Sequence, residues 1–303
     1  MKRRFSGGGS LARYAYDTLR RRIAKTVNGS AAAYVYDIGN PDGCLKAPYC
    51  RQQEFVVICI KFAVRDYEMS TDRPIGILGG MGPEATVLLQ RKLIEAIPAR
   101  DDRDHIPLLI DMNPQVPSRI AHLIEGTGPD PGPTLAGMAR RLEAAGAAAL
   151  AMPCNTAHYY APSIVEAVSI PLLNMVELAV EHASDFLGAG GRVGMLASPA
   201  VRRTGLFDTL LVARGLSVVW PENEERALAA IREIKVKGPS QDARSALSEA
   251  SANLATKGAG LQFVACSEFS LIADSVAPGV HAVDTIDLLT KAIVEFHRSA
   301  GSA

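Results

Sequence analysis

The sequence lacks the long apolar run and the ligand spacing that would mark a membrane protein or a metalloprotein. No apolar stretch approaches the roughly 18 residues that a membrane-spanning helix needs. The six histidines are scattered, and no two stand at zinc-ligand spacing. The loop Gly79-Gly80-Met81-Gly82-Pro83 has neither the lysine of a P-loop nor the spacing of a dinucleotide fingerprint. We therefore expect no membrane span, no metal, and no P-loop or dinucleotide site at this loop.

What the chain does contain is enough apolar material for two domains of ordinary size. It has 303 residues, of which 48% are hydrophobic. The net charge of zero conceals an asymmetry, because residues 1–70 carry 12 Lys and Arg against 6 Asp and Glu. Residues 71–303 carry 20 against 26. The net acidic part is not expected to bind nucleic acid.

The basic N-terminal part, residues 1–70, is interpreted as an extension that is disordered or a start-site artefact. Met69 stands directly before the first strongly predicted strand, where a start codon would be natural. Residues 55–64 form its one plausible strand. An Arg-rich transit peptide and a real accessory segment remain alternatives.

From residue 73 onward, strand and helix patterns alternate, which predicts parallel sheets with crossover helices. Strands are predicted near 75–79, 106–112, 147–153, 192–198, 216–220, 261–266 and 280–284. Helices are predicted near 84–97, 134–145, 158–168, 175–187, 201–213, 223–236, 242–256 and 285–298. The predicted fold is α/β, with two similar doubly wound parallel-sheet domains at 71–178 and 179–284. The C-terminal helix, 285–299, is expected to pack back on the first domain.

An internal duplication relates the two predicted domains. Cys154 and Cys266 each follow a glycine by eight residues, with a short apolar run between them and a leucine four residues before the glycine. This pattern predicts a helix, a buried strand and a cysteine at the carboxyl end of that strand, twice. In such sheets ligands collect at the carboxyl ends of strands, where a following helix N-terminus favours anions and should lower a thiol's pKa.

Two thiols mounted on two domains suit inversion of a carbon that carries an acidic hydrogen. One thiolate takes the proton from one face, the other thiol delivers a proton to the opposite face, and the roles exchange for the reverse substrate. Two alternatives stay open. A cysteine that ends a buried strand is also a small core residue, and a disulfide or redox couple is conceivable, although no Cys-x-x-Cys turn is present.

Four motifs in residues 73–299 resemble the aspartate/glutamate racemase superfamily, and its aspartate racemases most closely. They are Gly79-Gly80-Met81-Gly82-Pro83-Glu84-Ala85-Thr86, Asn113-Pro114-Gln115-Val116-Pro117-Ser118-Arg119, Met152-Pro153-Cys154-Asn155-Thr156-Ala157-His158 and Cys266-Ser267-Glu268. The resemblance implies a cofactor-independent racemase with an active site in the cleft between two domains related by a pseudo-two-fold axis. It also implies a homodimer.

The resemblance assigns catalysis to Cys154 and Cys266. The residues implied to bind substrate are Met81, Asn113, Gln115, Arg119, Asn155, Thr156, Ser198, Lys235 and Ser267. Arg119 suits an acidic side chain, because a guanidinium grips a carboxylate through two parallel hydrogen bonds. Lys235 is the expected second cation, with Lys237 as runner-up, and a basic helix end is also ordinary capping.

The chain departs from the family pattern near both ends of the second half. Ala265 replaces a glycine, so we expect a methyl beside the thiol. Ser267 replaces a threonine, and Val201 stands where relatives often carry a hydroxyl. His158 is interpreted either as tuning Cys154 or as structural. Glu268 either orients its neighbours or serves as a helix-start carboxylate.

The sequence therefore predicts an amino-acid racemase for aspartate that needs no pyridoxal phosphate. Alternatives are a glutamate racemase, a two-cysteine isomerase of the maleate isomerase type, and a regulator that binds an acidic amino acid without turnover. The expected partners are a small acidic amino acid and a second copy of the chain. A cytoplasmic location is expected, because the mechanism needs reduced thiols and no secretory segment is evident.

Overall fold

The computed structural model describes residues 12–16, 22–27, 30–33 and 73–299. The chain divides into two compact units, Met1–Glu68 and Met69–Ala303. In the first unit, β1 (Ala12–Tyr16), β2 (Arg22–Val27) and β3 (Ser30–Ala33) form an antiparallel sheet in that order. The sequence analysis predicted no strands there, because these segments are short and interrupted by basic residues. The strand that it placed at 55–64 lies outside the described residues.

The second unit contains two four-stranded sheets in which all pairings are parallel. Its strands are β4 (Ile75–Gly79), β5 (Leu108–Met112), β6 (Ala149–Ala151), β7 (Leu172–Leu173), β8 (Arg192–Ala197), β9 (Ser217–Val219), β10 (Leu261–Ala265) and β11 (Ala282–Asp284). Its α-helices are α1 (Pro83–Ala96), α2 (Gly132–Ala144), α3 (Ala161–Val165), α4 (Met175–Leu187), α5 (Pro199–Thr204), α6 (Asp208–Ala213), α7 (Glu224–Lys237), α8 (Gln241–Thr256), α9 (Ser267–Ser270) and α10 (Thr285–Arg298). No helix within 73–299 is long and apolar enough to cross a membrane.

The two sheets repeat one strand order. The first sheet runs β5-β4-β6-β7 and the second, read from its other edge, runs β9-β8-β10-β11. In the first sheet, β4 lies between β5 and β6, and β6 leads to Cys154. In the second sheet, β8 lies between β9 and β10, and β10 leads to Cys266. The chain therefore reverses its winding direction between β4 and β6, and again between β8 and β10. Such reversal points open crevices at the carboxyl ends of the strands.

Helices cover both faces of each sheet, as the doubly wound prediction requires. In the first sheet, Ile77 packs in the core beneath α1 and α10, whereas Leu78 packs with α2 and α3. In the second sheet, Phe263 faces α4 and α6, and Val264 faces α7 and α8. Each of these side chains is at most 1% exposed. Burial of a side chain of this size stabilises the fold by roughly 1.5–3 kcal/mol.

Local differences from the predicted elements have identifiable causes. The helix predicted at 201–213 is divided into α5 and α6, because Gly205 adopts a left-handed conformation with φ of 62° and ends α5. The helix predicted at 158–168 is a 3-10 turn, Thr156–Tyr160, followed by the short α3. β7 was not predicted, since its two residues carry too little periodicity to be recognised.

α10 packs in the core of the first sheet through Ile286, Leu289 and Ile293, although it follows the last strand of the second sheet. The predicted boundary at 178/179 falls within α4, where Met175 packs with the first sheet and Val176 with the second. α4 and α10 are therefore the elements shared between the two sheets. They hold the two halves of the unit in contact.

A buried carboxyl begins α10. Asp284 Oδ1 accepts hydrogen bonds from the Ile286 backbone N (2.9 Å) and the Ser270 hydroxyl (2.8 Å). Oδ2 is buried and has no hydrogen-bond partner among the described residues. Burial is the main cause that raises the pKa of Asp284 from its ordinary value of 3.8 to about 6. Ionisation of this group therefore opposes folding.

We predict that Asp284→Asn removes a pH-dependent penalty on stability. Between about pH 4 and pH 6 the folded wild type binds more protons at this site than the unfolded chain, so stability falls as the pH rises through that window. The asparagine does not titrate and keeps the Oδ1 acceptor. The free energy of unfolding of the variant minus that of wild type should rise by up to about 3 kcal/mol between pH 4 and pH 7.

Urea unfolding at several pH values measures this difference, with the exposed Asp185→Asn as the matched control. A difference that stays constant with pH would contradict the prediction.

Candidate functional site

One small cavity lies at the carboxyl ends of both sheets. Its volume is about 40 Å³, which leaves room for only a few water molecules. The segments that follow the reversal-point strands β4, β6, β8 and β10 contribute Met81, Cys154, Ser198 and Cys266 to its wall. The duplicated topology thus brings both halves of the sequence pattern to one place.

The two cysteines line the same cavity from different sheets. Each side chain is free and each residue is only 6% exposed. Cys154 lies three residues beyond the end of β6, and Cys266 directly follows β10. The prediction that duplicated strand ends place two thiols in one site agrees with this arrangement.

Cys154 is held by the turn that follows it. His158 Nδ1 lies 2.9 Å from the carbonyl oxygen of Cys154. His158 Nε2 accepts a hydrogen bond from the backbone N of Met175 at 3.1 Å. This pairing fixes the tautomer with the proton on Nδ1. Burial lowers the pKa of His158 to about 4. His158 is therefore a neutral residue that positions the backbone of Cys154, not a group bonded to the thiol.

Cys266 is hydrogen-bonded to a carboxylate. Its Sγ donates to Glu268 Oε2 at 3.1 Å, and Ser267 Oγ donates to the same oxygen at 3.3 Å. Burial first, and the Glu268 charge second, raise the pKa of Cys266 well above its usual range. The sequence analysis expected a lowered thiol pKa from a helix N-terminus. For Cys266 that expectation is wrong, because burial of the thiol and, after it, the charge of Glu268 raise the pKa, and α9 is only a four-residue turn.

Glu268 is a site residue that the sequence analysis did not select. Glu268 is 9% exposed and lines the cavity. Its Oε1 lies 3.4 Å from Nζ of Lys235. One carboxylate thus contacts the thiol of Cys266 on one oxygen and a cation on the other. The sequence signals for it were its position two residues after a candidate catalytic cysteine and its place in the motif Cys266-Ser267-Glu268. Ser118, Ile120 and Ile231 also line the cavity without having been predicted.

Both predicted cations reach the cavity wall. Arg119 lines it, and its Nη1 donates to the carbonyl oxygens of Pro117 (2.9 Å) and Val116 (3.4 Å). Its buried Nε has no hydrogen-bond partner among residues 73–299. Lys235 also lines the cavity, whereas the runner-up Lys237 is exposed and does not.

The polar residues beside Cys154 make bonds between the two halves. Thr156 Oγ1 lies 3.2 Å from Ser198 Oγ. Asn155 Nδ2 donates to Thr285 Oγ1 at 2.9 Å, and its buried Oδ1 has no partner in the described part of the chain. Asn155, which was predicted to bind substrate, lines the cavity and uses one N–H of its side-chain amide to bond Thr285.

Asn113 and Gln115, both predicted to bind substrate, do not line the cavity. Asn113 Oδ1 accepts from the Gln115 backbone N at 2.9 Å, which closes a turn, and Gln115 is exposed. The Asn113 backbone instead lies against Gly80, whose φ is 93°. A Cβ at Gly80 would lie 2.4 Å from the Asn113 carbonyl carbon. This motif therefore shapes the loop that carries Met81.

Of the three departures noted in the sequence, Ser267 lines the cavity, whereas Ala265 and Val201 lie away from it. Ala265 packs in the core between the second sheet and α4, on the opposite face of β10 from Cys266. The expectation that its methyl sits beside the thiol is wrong, because consecutive strand residues point to opposite faces. Val201 is fully buried in the same core.

Within residues 73–299 there is no group of three or more His, Cys, Asp and Glu residues that could hold a metal ion.

Comparison with known proteins agrees with these features. The chain is 25% identical over 237 residues to the broad specificity amino-acid racemase RacX of Bacillus subtilis (strain 168), an alignment that covers 73% of this chain and 96% of that protein. The structure of Picrophilus torridus aspartate racemase is similar with a TM-score of 0.67 and 26% identity, and the match covers 76% of this chain and 94% of that one.

A glutamate racemase from Francisella tularensis subsp. tularensis SCHU S4, solved in complex with D-glutamate, has a TM-score of 0.54 and 18% identity. That match covers 76% of this chain and 83% of the glutamate racemase, and at this identity it supports the fold alone. The sequence model of the family described as Asp/Glu/Hydantoin racemase matches residues 78–293, well over half of the chain. The resemblance carried by the four motifs is thus confirmed, and the chain belongs to the Asp/Glu/hydantoin racemase family.

Proposed function

We propose that the protein racemises aspartate by a two-base mechanism with Cys154 and Cys266 as the bases. Family membership supports amino-acid racemisation, which is an isomerase reaction. The observation that carries the finer proposal is that two free thiols from different sheets line one cavity. One thiolate removes the α-proton while the opposite thiol protonates the other face. The reaction leaves the amino acid inverted and the thiol and thiolate exchanged.

The charges of the cavity match those of an acidic amino acid. Arg119 and Lys235 supply two cations for two carboxylates, and Glu268 supplies an anion for the ammonium. Cationic groups near the α-carboxylate also stabilise the negative charge that develops at Cα, which supports catalysis by the protein's own residues without pyridoxal phosphate.

Similarity to a solved relative favours aspartate over glutamate. The aspartate racemase of Picrophilus torridus is 26% identical to this chain. Glutamate remains the second candidate, since both amino acids present the same charges.

Glu268 has a catalytic role in this proposal. Its Oε2 accepts from the Cys266 thiol at 3.1 Å, so it is placed to take that proton and leave a thiolate. The S–H bond breaks and the proton moves to the carboxylate. After the Cys266 thiolate has taken the α-proton and Cys154 has given its proton to the other face, Glu268 releases its proton to solvent and the Cys154 thiolate takes one up. In the free protein, burial and the charge of Glu268 raise the pKa of Cys266 and keep it protonated at neutral pH.

The first prediction concerns the two thiols. Cys154→Ala and Cys266→Ala should each lower racemisation of aspartate below detection, since each lacks either the base or the acid in both directions. Chiral chromatography of reactions started from L- and from D-aspartate measures this, with glutamate and maleate as additional substrates.

Racemisation retained by either variant would contradict the two-base proposal. Saturable aspartate binding by a folded, reduced wild type without α-proton exchange would favour a binding protein, and turnover of maleate alone a different isomerase.

The second prediction concerns Glu268. Glu268→Gln keeps the shape but cannot take the Cys266 proton, so kcat should fall about 100-fold, the scale of a lost general base. Loss of the negative charge also lowers the pKa of Cys266, because Glu268 raises it in the wild type. The pH profile of the residual kcat/KM should therefore shift to lower pH.

The exposed Glu166→Gln is the matched control for this variant. An unchanged kcat and an unchanged pH profile in Glu268→Gln would show that the carboxylate has no part in proton transfer.

The third prediction concerns substrate selection by Arg119. Arg119→Ala should raise KM for aspartate by about 10- to 100-fold, the size of a lost hydrogen-bonded charge contact. It should affect alanine, which lacks the second carboxylate, much less. Initial rates on both amino acids, with the exposed Arg140→Ala as control, measure the ratio. An equal increase in KM for aspartate and for alanine would show that Arg119 does not bind the side-chain carboxylate of the substrate.

A further inference from the structure

A single buried hydroxyl connects the two cysteine-bearing segments. Thr285 Oγ1 accepts from Asn155 Nδ2 at 2.9 Å and donates to the Val264 carbonyl oxygen at 3.1 Å. Asn155 directly follows Cys154, and Val264 precedes Cys266 by two residues in β10. Thr285 is fully buried and Asn155 is 1% exposed. The hydroxyl therefore joins the first half of the site to the second.

The neighbouring residue at the start of α10 strengthens this junction. Ser270 Oγ donates to Asp284 Oδ1 at 2.8 Å and lies 3.3 Å from the Cys266 carbonyl oxygen. Asp284 also accepts from the Ile286 backbone N, which fixes the first turn of α10. The helix start thus contacts the backbone on both sides of Cys266 and, through Thr285, the segment after Cys154.

These bonds are buried, so each is costly to break. A buried donor that is left without an acceptor costs its full desolvation penalty, because it has given up its hydrogen bonds to water. The low polarity around these groups also strengthens the hydrogen bonds that they make. The rest of α10 is anchored in the core of the first sheet by Ile286, Leu289 and Ile293. Its first residue is consequently a fixed point against which both segments are held.

We propose that Thr285 is a positioning residue that sets the separation of the two catalytic thiols through its paired hydrogen bonds to Asn155 and Val264. The inference rests on the proposed two-base function. Two-base inversion needs both sulfurs within proton-transfer distance of Cα at the same time, and a displacement of about 1 Å costs about 100-fold in rate. Thr285 does not line the cavity and acts only through its neighbours.

The distinguishing readout is the fate of deuterium in D2O. When both thiols are aligned, L-aspartate that loses its α-proton is deuterated on the opposite face and leaves as D-aspartate. When the acid is misplaced, the abstracted proton exchanges with solvent and returns to the same face. The recovered L-aspartate then gains deuterium without inversion. A variant that is merely destabilised loses both processes in proportion.

The test compares wild type with Thr285→Val, which keeps the branched shape without the hydroxyl, and Thr285→Ser, which restores the hydroxyl. Thr290→Val is the matched control, since Thr290 is a buried threonine of the same helix whose hydroxyl donates to the Ile286 carbonyl oxygen one turn earlier. Deuterium in recovered L-aspartate and in newly formed D-aspartate is measured by chiral separation and mass spectrometry at low conversion.

In Thr285→Val we expect racemisation to fall by about 10- to 100-fold. The ratio of deuterated L-aspartate to D-aspartate should rise several-fold, return towards wild type in Thr285→Ser and stay unchanged in Thr290→Val. A wild-type ratio in Thr285→Val, whether the rates are unchanged or fall together, overturns the inference and leaves the proposed function standing. A wild type without exchange of aspartate or glutamate overturns the proposed function and this inference with it.

Discussion

The carboxyl ends of β6 and β10 meet at one cavity, and the other features of the site depend on that placement. Two sheets with the same strand order each open a crevice where the winding direction reverses. Each crevice contributes one cysteine. A chain with a single such sheet would place a thiol on only one side of a ligand. The duplicated topology is what makes a two-sided reaction geometrically available.

The cavity combines burial with a small number of charges. Cys266 is kept protonated by burial and by Glu268, while Lys235 contacts the other oxygen of that carboxylate. On the other side, His158 is neutral and bonded to backbone atoms. In the proposed mechanism the ionisable groups around Cys266 therefore serve proton transfer, whereas the histidine beside Cys154 serves only to hold the chain.

The sequence predicted the fold well, because apolar strands, glycine-ended helices and a repeated pattern are properties of short segments. It also predicted that Cys154, Cys266, Arg119 and Lys235 share a site. It failed where the outcome depends on side-chain direction in the folded molecule. The turn made by Asn113 removes it from the cavity, the methyl of Ala265 lies on the opposite face of its strand, and the amide of Asn155 is engaged by a residue 130 positions away. No local pattern contains that information.

The most direct test of the account follows deuterium during conversion of L-aspartate by the wild-type protein in D2O. With two monoprotic bases on opposite faces, newly formed D-aspartate should carry one deuteron at Cα, while unreacted L-aspartate retains its proton early in the reaction. Chiral separation followed by mass spectrometry or proton NMR distinguishes the two pools. Equal deuterium in both enantiomers from the start would indicate one base serving both faces, which would contradict the assignment of Cys154 and Cys266 to opposite sides of the substrate.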